Sequence, residues 1–169
     1  TETIGLFPVG ASPHLRLSAE EKQTGKINYL IGNDPKKWRA GVPTYGKVVY
    51  QSVYPGIDMK FYGNNRELEY DVIVQPGAHP STVRFGYEGI QKLKINPAGQ
   101  LEVLLKNGES LFQKRPVIYQ QIAGQRVDVD GAFRLLNHSE YGFQVAAYNK
   151  NYPLVIDPVL EYSTYLGGD

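Results

Sequence analysis

The chain has 169 residues, the usual size of one domain, and at this length roughly 70% of the surface exposed by the unfolded form can be buried. Eighteen Lys plus Arg against 17 Asp plus Glu leave a net charge of +1, which supplies neither an electrostatic footprint for nucleic acid nor a polybasic patch for anionic lipid. The absence of cysteine excludes disulfides, thiolate metal sites and a cysteine nucleophile, while 13 Tyr, 18 Gly and 11 Pro beside a single Met favour strands and turns over helices.

The first two dozen residues interleave Gly5, Pro8, Gly10 and Pro13 with short apolar pieces and end in the charged stretch Ala19-Glu-Glu-Lys-Gln-Thr24, so residues 1–26 read as an N-terminal arm or edge strand. Thr1-Glu-Thr-Ile4 lacks a basic segment followed by an apolar one, so no signal peptide is read in this sequence, and no apolar run approaches the roughly 20 residues that span a bilayer. A strand pattern begins at Lys26 with Ile27-Asn-Tyr-Leu-Ile31 and stops at Gly32-Asn-Asp-Pro35. There Asn33 or Asp34 caps a single helical turn, with Pro35 at its first position and Trp38 at its end.

Further strands are predicted at 47–54, 57–62 and 67–74, each fenced by Pro, Gly or Asn. The pattern repeats at 82–87, 91–95, 100–105, 110–113, 117–122, 125–129, 132–136, 141–148 and 154–156. About a dozen short strands imply an antiparallel sandwich or two packed sheets, and no stretch carries the 3.6-residue apolar period that an α/β fold requires.

Two hairpins can be set in register. Asn107-Gly108 reads as a type I′ turn, which places Val103 opposite Phe112. A two-residue loop at Asn64-Asn65 sets Phe61 opposite Leu68, Lys60 opposite Glu69, Met59 opposite Tyr70 and Asp58 opposite Asp71. Ile57, Met59, Phe61, Leu68, Tyr70 and Val72 then share one face, and Asp58, Lys60, Glu67, Glu69 and Asp71 the other.

That polar face is the best candidate for chemistry. Glu67, Glu69 and Asp71 stand about 7 Å apart along one strand, and crowded carboxylates raise one another's pKa, act as an acid and base pair, or bind a hard cation such as Ca²⁺ near Asp58 and Asp71. The competing reading is a solvated face on which Lys60 pairs with Glu69. Gly41-Val-Pro-Thr-Tyr-Gly-Lys47 begins like a phosphate-binding loop but fails at Val48, and Pro43 removes a backbone donor, so it reads as a turn entering a strand. His14, His79 and His138 have no metal-site spacing, and His79 before Pro80 reads as a turn residue. Asn137-His-Ser139 has the form of a glycosylation sequon. The many tyrosines suit half-buried sheet faces, and any exposed set would suit stacking on sugars. No cofactor is read from the sequence.

Three segments together carry a resemblance. Val53-Tyr-Pro-Gly-Ile-Asp58 leads to Phe61-Tyr-Gly63; Leu68-Glu-Tyr-Asp-Val-Ile-Val-Gln-Pro-Gly-Ala78 follows; and Pro153-Leu-Val-Ile-Asp-Pro-Val-Leu-Glu-Tyr-Ser-Thr-Tyr-Leu-Gly-Gly168 closes the chain. From Ile27 onward the sequence resembles the N-terminal domain of unknown function found in bacterial proteins with the SBBP type of β-propeller repeat. The resemblance implies a secreted or cell-surface protein, no transferable catalytic residue, and a first repeat beginning near Tyr162. Three segments are therefore expected: residues 1–26 as the arm, 27–158 as one β-sandwich-like domain in which Gly89 could mark a subdivision, and 159–169 as a linker or the start of a repeat. Leu154 to Ile156 should close the sheet, Asp157-Pro158 should act as a hinge, and Leu160 to Leu166 should pack back on the domain or pair with another molecule. The expected role is a non-catalytic structural or interaction module whose partners are the downstream repeats and possibly a protein or glycan. A carbohydrate-binding module using exposed tyrosines is the first alternative, and a carboxylate glycosidase or Ca-dependent domain around Asp58, Glu67, Glu69 and Asp71 is the second.

Overall fold

A computed structural model describes residues 3–29, 34–64, 67–158 and 160–161. The strands in the first half are β1 (Gly5–Pro8), β2 (Arg16–Tyr29), β3 (Arg39–Tyr54), β4 (Ile57–Asn64), β5 (Glu67–Val74), β6 (Phe85–Glu88) and β7 (Ile90–Ile95). The second half adds β8 (Leu101–Leu105), β9 (Ser110–Gln113), β10 (Val117–Ile122), β11 (Gln125–Asp128), β12 (Gly131–Leu135), β13 (Glu140–Val145), β14 (Leu154–Asp157) and β15 (Leu160–Glu161). The all-β expectation holds, with two 3-10 turns, Pro35–Lys37 and Pro80–Thr82, as the helical content among the described residues. The first begins as its sequence demands: the Asp34 side chain accepts from the Lys36 N–H at 3.1 Å, Pro35 follows, and Trp38 ends it.

The strands make three antiparallel sheets, ordered β1-β6-β13-β12, β11-β10-β14-β5-β4-β3-β2 and β15-β9-β8-β7. One apolar cluster joins all three: Ile57, Met59, Tyr70, Val72, Leu154 and Ile156 come from the seven-stranded sheet, Phe85, Phe133, Tyr141 and Phe143 from the first, and Leu93, Leu101 and Val103 from the third. Residues on both sides of Gly89 share this core.

Several strands are longer or placed differently than the pattern implied. The charged stretch 19–24 lies inside β2, the edge strand of the seven-stranded sheet, and β2 runs through the expected boundary at 26/27 while paired with β3. β1 belongs to a different sheet, against β6. β14 lies between β10 and β5 near the middle of its sheet, where both neighbours satisfy its backbone, so it does not close an edge. β15 pairs with β9 of the same molecule through Leu160↔Gln113, and residues 162–169 lie outside the description. The stretch 82–87 is a strand only from Phe85, because Pro80–Thr82 forms the second 3-10 turn.

Both hairpin registers are corrected. β4 and β5 pair as Met59↔Val72, Lys60↔Asp71, Phe61↔Tyr70 and Tyr62↔Glu69, two residues away from the expected pairing. A two-residue slip keeps every side chain on its face, so the apolar pattern could not distinguish the two registers. Asn65 and the side chains of Glu67 and Leu68 lie outside the description. In the other hairpin the shift is one residue: Val103 pairs with Leu111, and Glu102 with Phe112. The Gly108 N–H bonds to the Leu105 carbonyl at 3.1 Å, the Leu105 N–H bonds to the Glu109 carbonyl at 2.8 Å, and Gly108 has φ +90°. These bonds define a three-residue loop with a bulge at Gly108, a conformation that glycine adopts without strain. The Asn107 side chain accepts from the Glu109 N–H at 3.0 Å and fixes the extra residue. One added residue turns β9 over, and Gln113 enters the core in place of Phe112.

Candidate functional site

The outer face of the seven-stranded sheet carries the carboxylates singled out from the sequence. Asp58 stands opposite Ile73, and its carboxylate accepts from the Ser52 N–H at 2.8 Å and from the Gln75 side-chain amide at 3.4 Å. Ser52 has φ +55° inside a register shift of β3, so Asp58 satisfies a backbone donor that the bulge removes from the ladder. Asp71 stands opposite Lys60 and accepts from the Tyr62 hydroxyl at 3.1 Å, while Glu69 stands opposite Tyr62. Lys60 itself reaches across to Glu20 at 2.9 Å. The expected Lys60–Glu69 pair is replaced by these contacts, and the corrected register makes Asp58 and Asp71 diagonal neighbours.

The structure adds a member that sequence reasoning had treated as a hinge. Asp157, at the end of β14, faces Val117 on one side and lies beside Asp71 on the other. Burial, with the nearby charges of Asp71 and Glu69, pushes its pKa up to about 6, and Arg126 pulls the other way. Burial also raises Asp71 above the usual carboxylate range, opposed by the Tyr62 hydrogen bond and by Lys60. Asp71 and Asp157 therefore form a half-buried acidic pair, with Glu69 nearby, in which Asp157 is able to hold a proton in weakly acidic solution. Among the described residues no three His, Cys, Asp or Glu side chains are placed to hold a metal ion. The signal for Asp157 was present only as alternation, since its contact with Asp71 depends on which strand β14 joins.

The tyrosines divide sharply. Tyr70 and Tyr141 meet hydroxyl to hydroxyl at 3.3 Å, and the buried Gln113 amide donates to Tyr141 at 3.2 Å and to the Tyr87 hydroxyl. Burial drives the Tyr70 and Tyr141 phenols well above their ordinary value, so both stay neutral and serve as hydrogen-bonding groups. Ring contacts run without a gap from Tyr50 to Phe61, Tyr70, Phe85 and Tyr141, with centroids 5.3 to 5.7 Å apart. Among the described side chains only Tyr45 and Tyr152 are exposed, on different strands and loops, and they form no common stacking platform. The stretch 41–47 lies within β3, and Lys47 pairs with Glu21.

The β2–β3 pair carries another surface. Leu17, paired with Tyr50, keeps 63% of its surface exposed, and Ile27, Trp38, Tyr45 and Val48 are exposed too. At its base, Pro8, Leu15, Tyr50, Val53, Met59 and Phe61 line an apolar cleft of about 230 Å³. Backbone pairing is complete enough to hold the two strands together, but among the described residues no third layer covers Leu17.

The family described as a domain of unknown function (DUF7948) matches residues 1–159. The chain belongs to this family. The match includes residues 1–26, which the resemblance had left outside, and it agrees with β1 and β2 being built into the sheets. Comparison with curated proteins and with solved structures finds no match for this chain. Among the described residues of this family member no helix is long and apolar enough to cross a membrane.

Proposed function

We propose that this domain is a non-catalytic interaction module on the N-terminal side of a secreted or cell-surface protein, where it braces β-propeller-type repeats that follow it in the same chain. The observation that carries the reading is the apolar surface of the β2–β3 pair, where Leu17 and Val48 continue the line of Tyr50 and Phe61 beyond the covered core. Side chains of this kind repay burial by roughly 1.5–3 kcal/mol each, so a partner laid along β2 and β3 gains affinity without new polar contacts. The resemblance of Tyr162 to Gly168 to the opening of a propeller repeat supports a partner within the same polypeptide.

Amide exchange in the isolated domain and in the full-length protein tests this directly. The reading expects slower exchange at Leu17 to Ala19 and Val48 to Tyr50 in the full-length protein. Equal exchange at these amides, or a full-length chain without downstream repeats, would overturn it.

A further inference from the structure

We propose that the outer face of β12 and β13 binds a compact oxyanion, a carboxylate, sulfate or phosphate group, in a cleft of about 510 Å³ whose charged lining is entirely basic. This site is separate from the β2–β3 surface and goes beyond the role proposed for it. Arg134 of β12 and Gln144 of β13 line it together with His79 and Ser81 at the second 3-10 turn and Tyr148 and Lys150 from the segment after β13. No carboxylate lines the cleft, and among the described residues no ion pair engages Arg134, Lys150 or His79. On a chain of net charge +1, in which Arg84, Arg115 and Arg126 each have an acidic partner, Arg134 and Lys150 gathered without one make a local positive field.

The walls are held by groups buried beneath them. Arg134 pairs across the strands with Gly142, and a Cβ at Gly142 would come within 2.8 Å of the Val83 carbonyl oxygen. Only glycine lets the 3-10 turn Pro80–Thr82 press so closely on β13, which brings His79 and Ser81 beside Arg134. The His79 side chain makes no capping bond to that turn and is left available to the cleft. On the opposite side the buried Gln120 amide clamps the segment after β13, accepting from the Asn149 N–H at 3.0 Å and donating to the Asn149 and Tyr152 carbonyls at 2.8 and 3.0 Å. Lys150 is steadied with its ammonium 3.6 Å from the centre of the Tyr148 ring.

The chemistry of these donors selects the ligand. A guanidinium presents a planar fork matched to two oxygens of one anionic group, an ammonium adds a point charge, and the Ser81 hydroxyl and Gln144 amide can donate to what remains. Walls fixed before binding reduce the ordering cost of association. The volume falls in the range of small-molecule sites and admits a monosaccharide or phosphate ester bearing the anion.

Amide and side-chain NMR shifts of the intact domain, titrated at constant ionic strength with sodium glucuronate, sodium sulfate and inorganic phosphate, test the site, with glucose as the neutral control. Saturable shifts confined to 79–82, 134 and 142–150 are expected with at least one anion and not with glucose. A preference for glucuronate would identify a carboxylated saccharide as the source of the oxyanion, and a preference for phosphate a phosphate ester. Arg134→Gln and Lys150→Gln should each weaken binding about tenfold or more, and Ser81→Asp should abolish it by placing a carboxylate in the cleft, all with unchanged melting temperature. The proposal is overturned if none of the three anions gives saturable shifts there, if glucose binds equally, or if these substitutions leave the affinity intact.

Discussion

Around Tyr141 three sheets converge and every buried side-chain polar atom among the described residues has a partner, whereas along β2 and β3 large apolar side chains stand in water on a pair of well-bonded strands. Both regions use the same residue types, Tyr, Val and Leu on alternating strands. The difference lies in layers. Strand pairing satisfies backbone groups wherever two strands meet, but burying a side chain requires another sheet across from it, and among the described residues β2 has none. Stability should therefore be concentrated at the junction of the sheets, and the β2–β3 pair left free to spend its apolar surface on a partner.

Truncation at the junction should have the largest effect. Tyr141→Ala removes a fully buried ring that stacks on Phe85 and Tyr87, and should cost about 3–5 kcal/mol in urea unfolding. A loss below about 1 kcal/mol would mean that the three sheets do not share one core. Gln113→Ala should cost about 1–3 kcal/mol, because it removes the amide that donates to the Tyr87 and Tyr141 hydroxyls. Gln113→Leu, which fills most of the same space without the amide, separates the hydrogen bonds from the cavity in the same measurement.

The acidic group on the outer face gives an intermediate effect with a definite sign. The folded pKa of Asp157 is raised from an ordinary value of 3.8 to about 6, so between those values the folded protein holds more protons than the unfolded chain. Its contribution is fully present below the unfolded pKa and is lost as pH rises through the folded one. Asp157→Asn should remove this dependence and, after allowance for solvent screening, stabilise the domain by about 1 kcal/mol at pH 7 relative to the parent. Unfolding at pH 4, 5, 6 and 7 checks it, and parallel pH profiles for the two proteins would rule it out. The smallest change is expected on the exposed strands: Leu17→Ser should alter stability of the isolated domain by no more than about 0.5 kcal/mol. A drop of 2 kcal/mol would show that Leu17 is covered in solution and would erase the contrast with the body.

Much of the strand pattern was legible because alternation and turn residues are local. The stretches 67–74, 110–113 and 117–122 coincide with β5, β9 and β10, and Asp34 caps the turn assigned to it. The candidate site was legible only in part. Asp58, Glu69 and Asp71 were placed on the correct face, yet Asp58 is occupied by the Ser52 bulge and Asp157 arrives from a strand more than eighty residues away in sequence. The basic cleft left no local trace, since Arg134, His79 and Lys150 belong to three separate segments.

By itself, then, the sequence determined the all-β class and much of the strand pattern, the inward and outward faces of most strands and the absence of thiol chemistry, all of which follow from backbone geometry and side-chain type within a few residues. Only the tertiary structure decided which strands are neighbours, whether a hairpin gains one residue or slips by two, and therefore that Gln113 and not Phe112 enters the core. The physical reason is that register and strand order are fixed by packing across sheets, and apolar alternation reads the same at every register that differs by two.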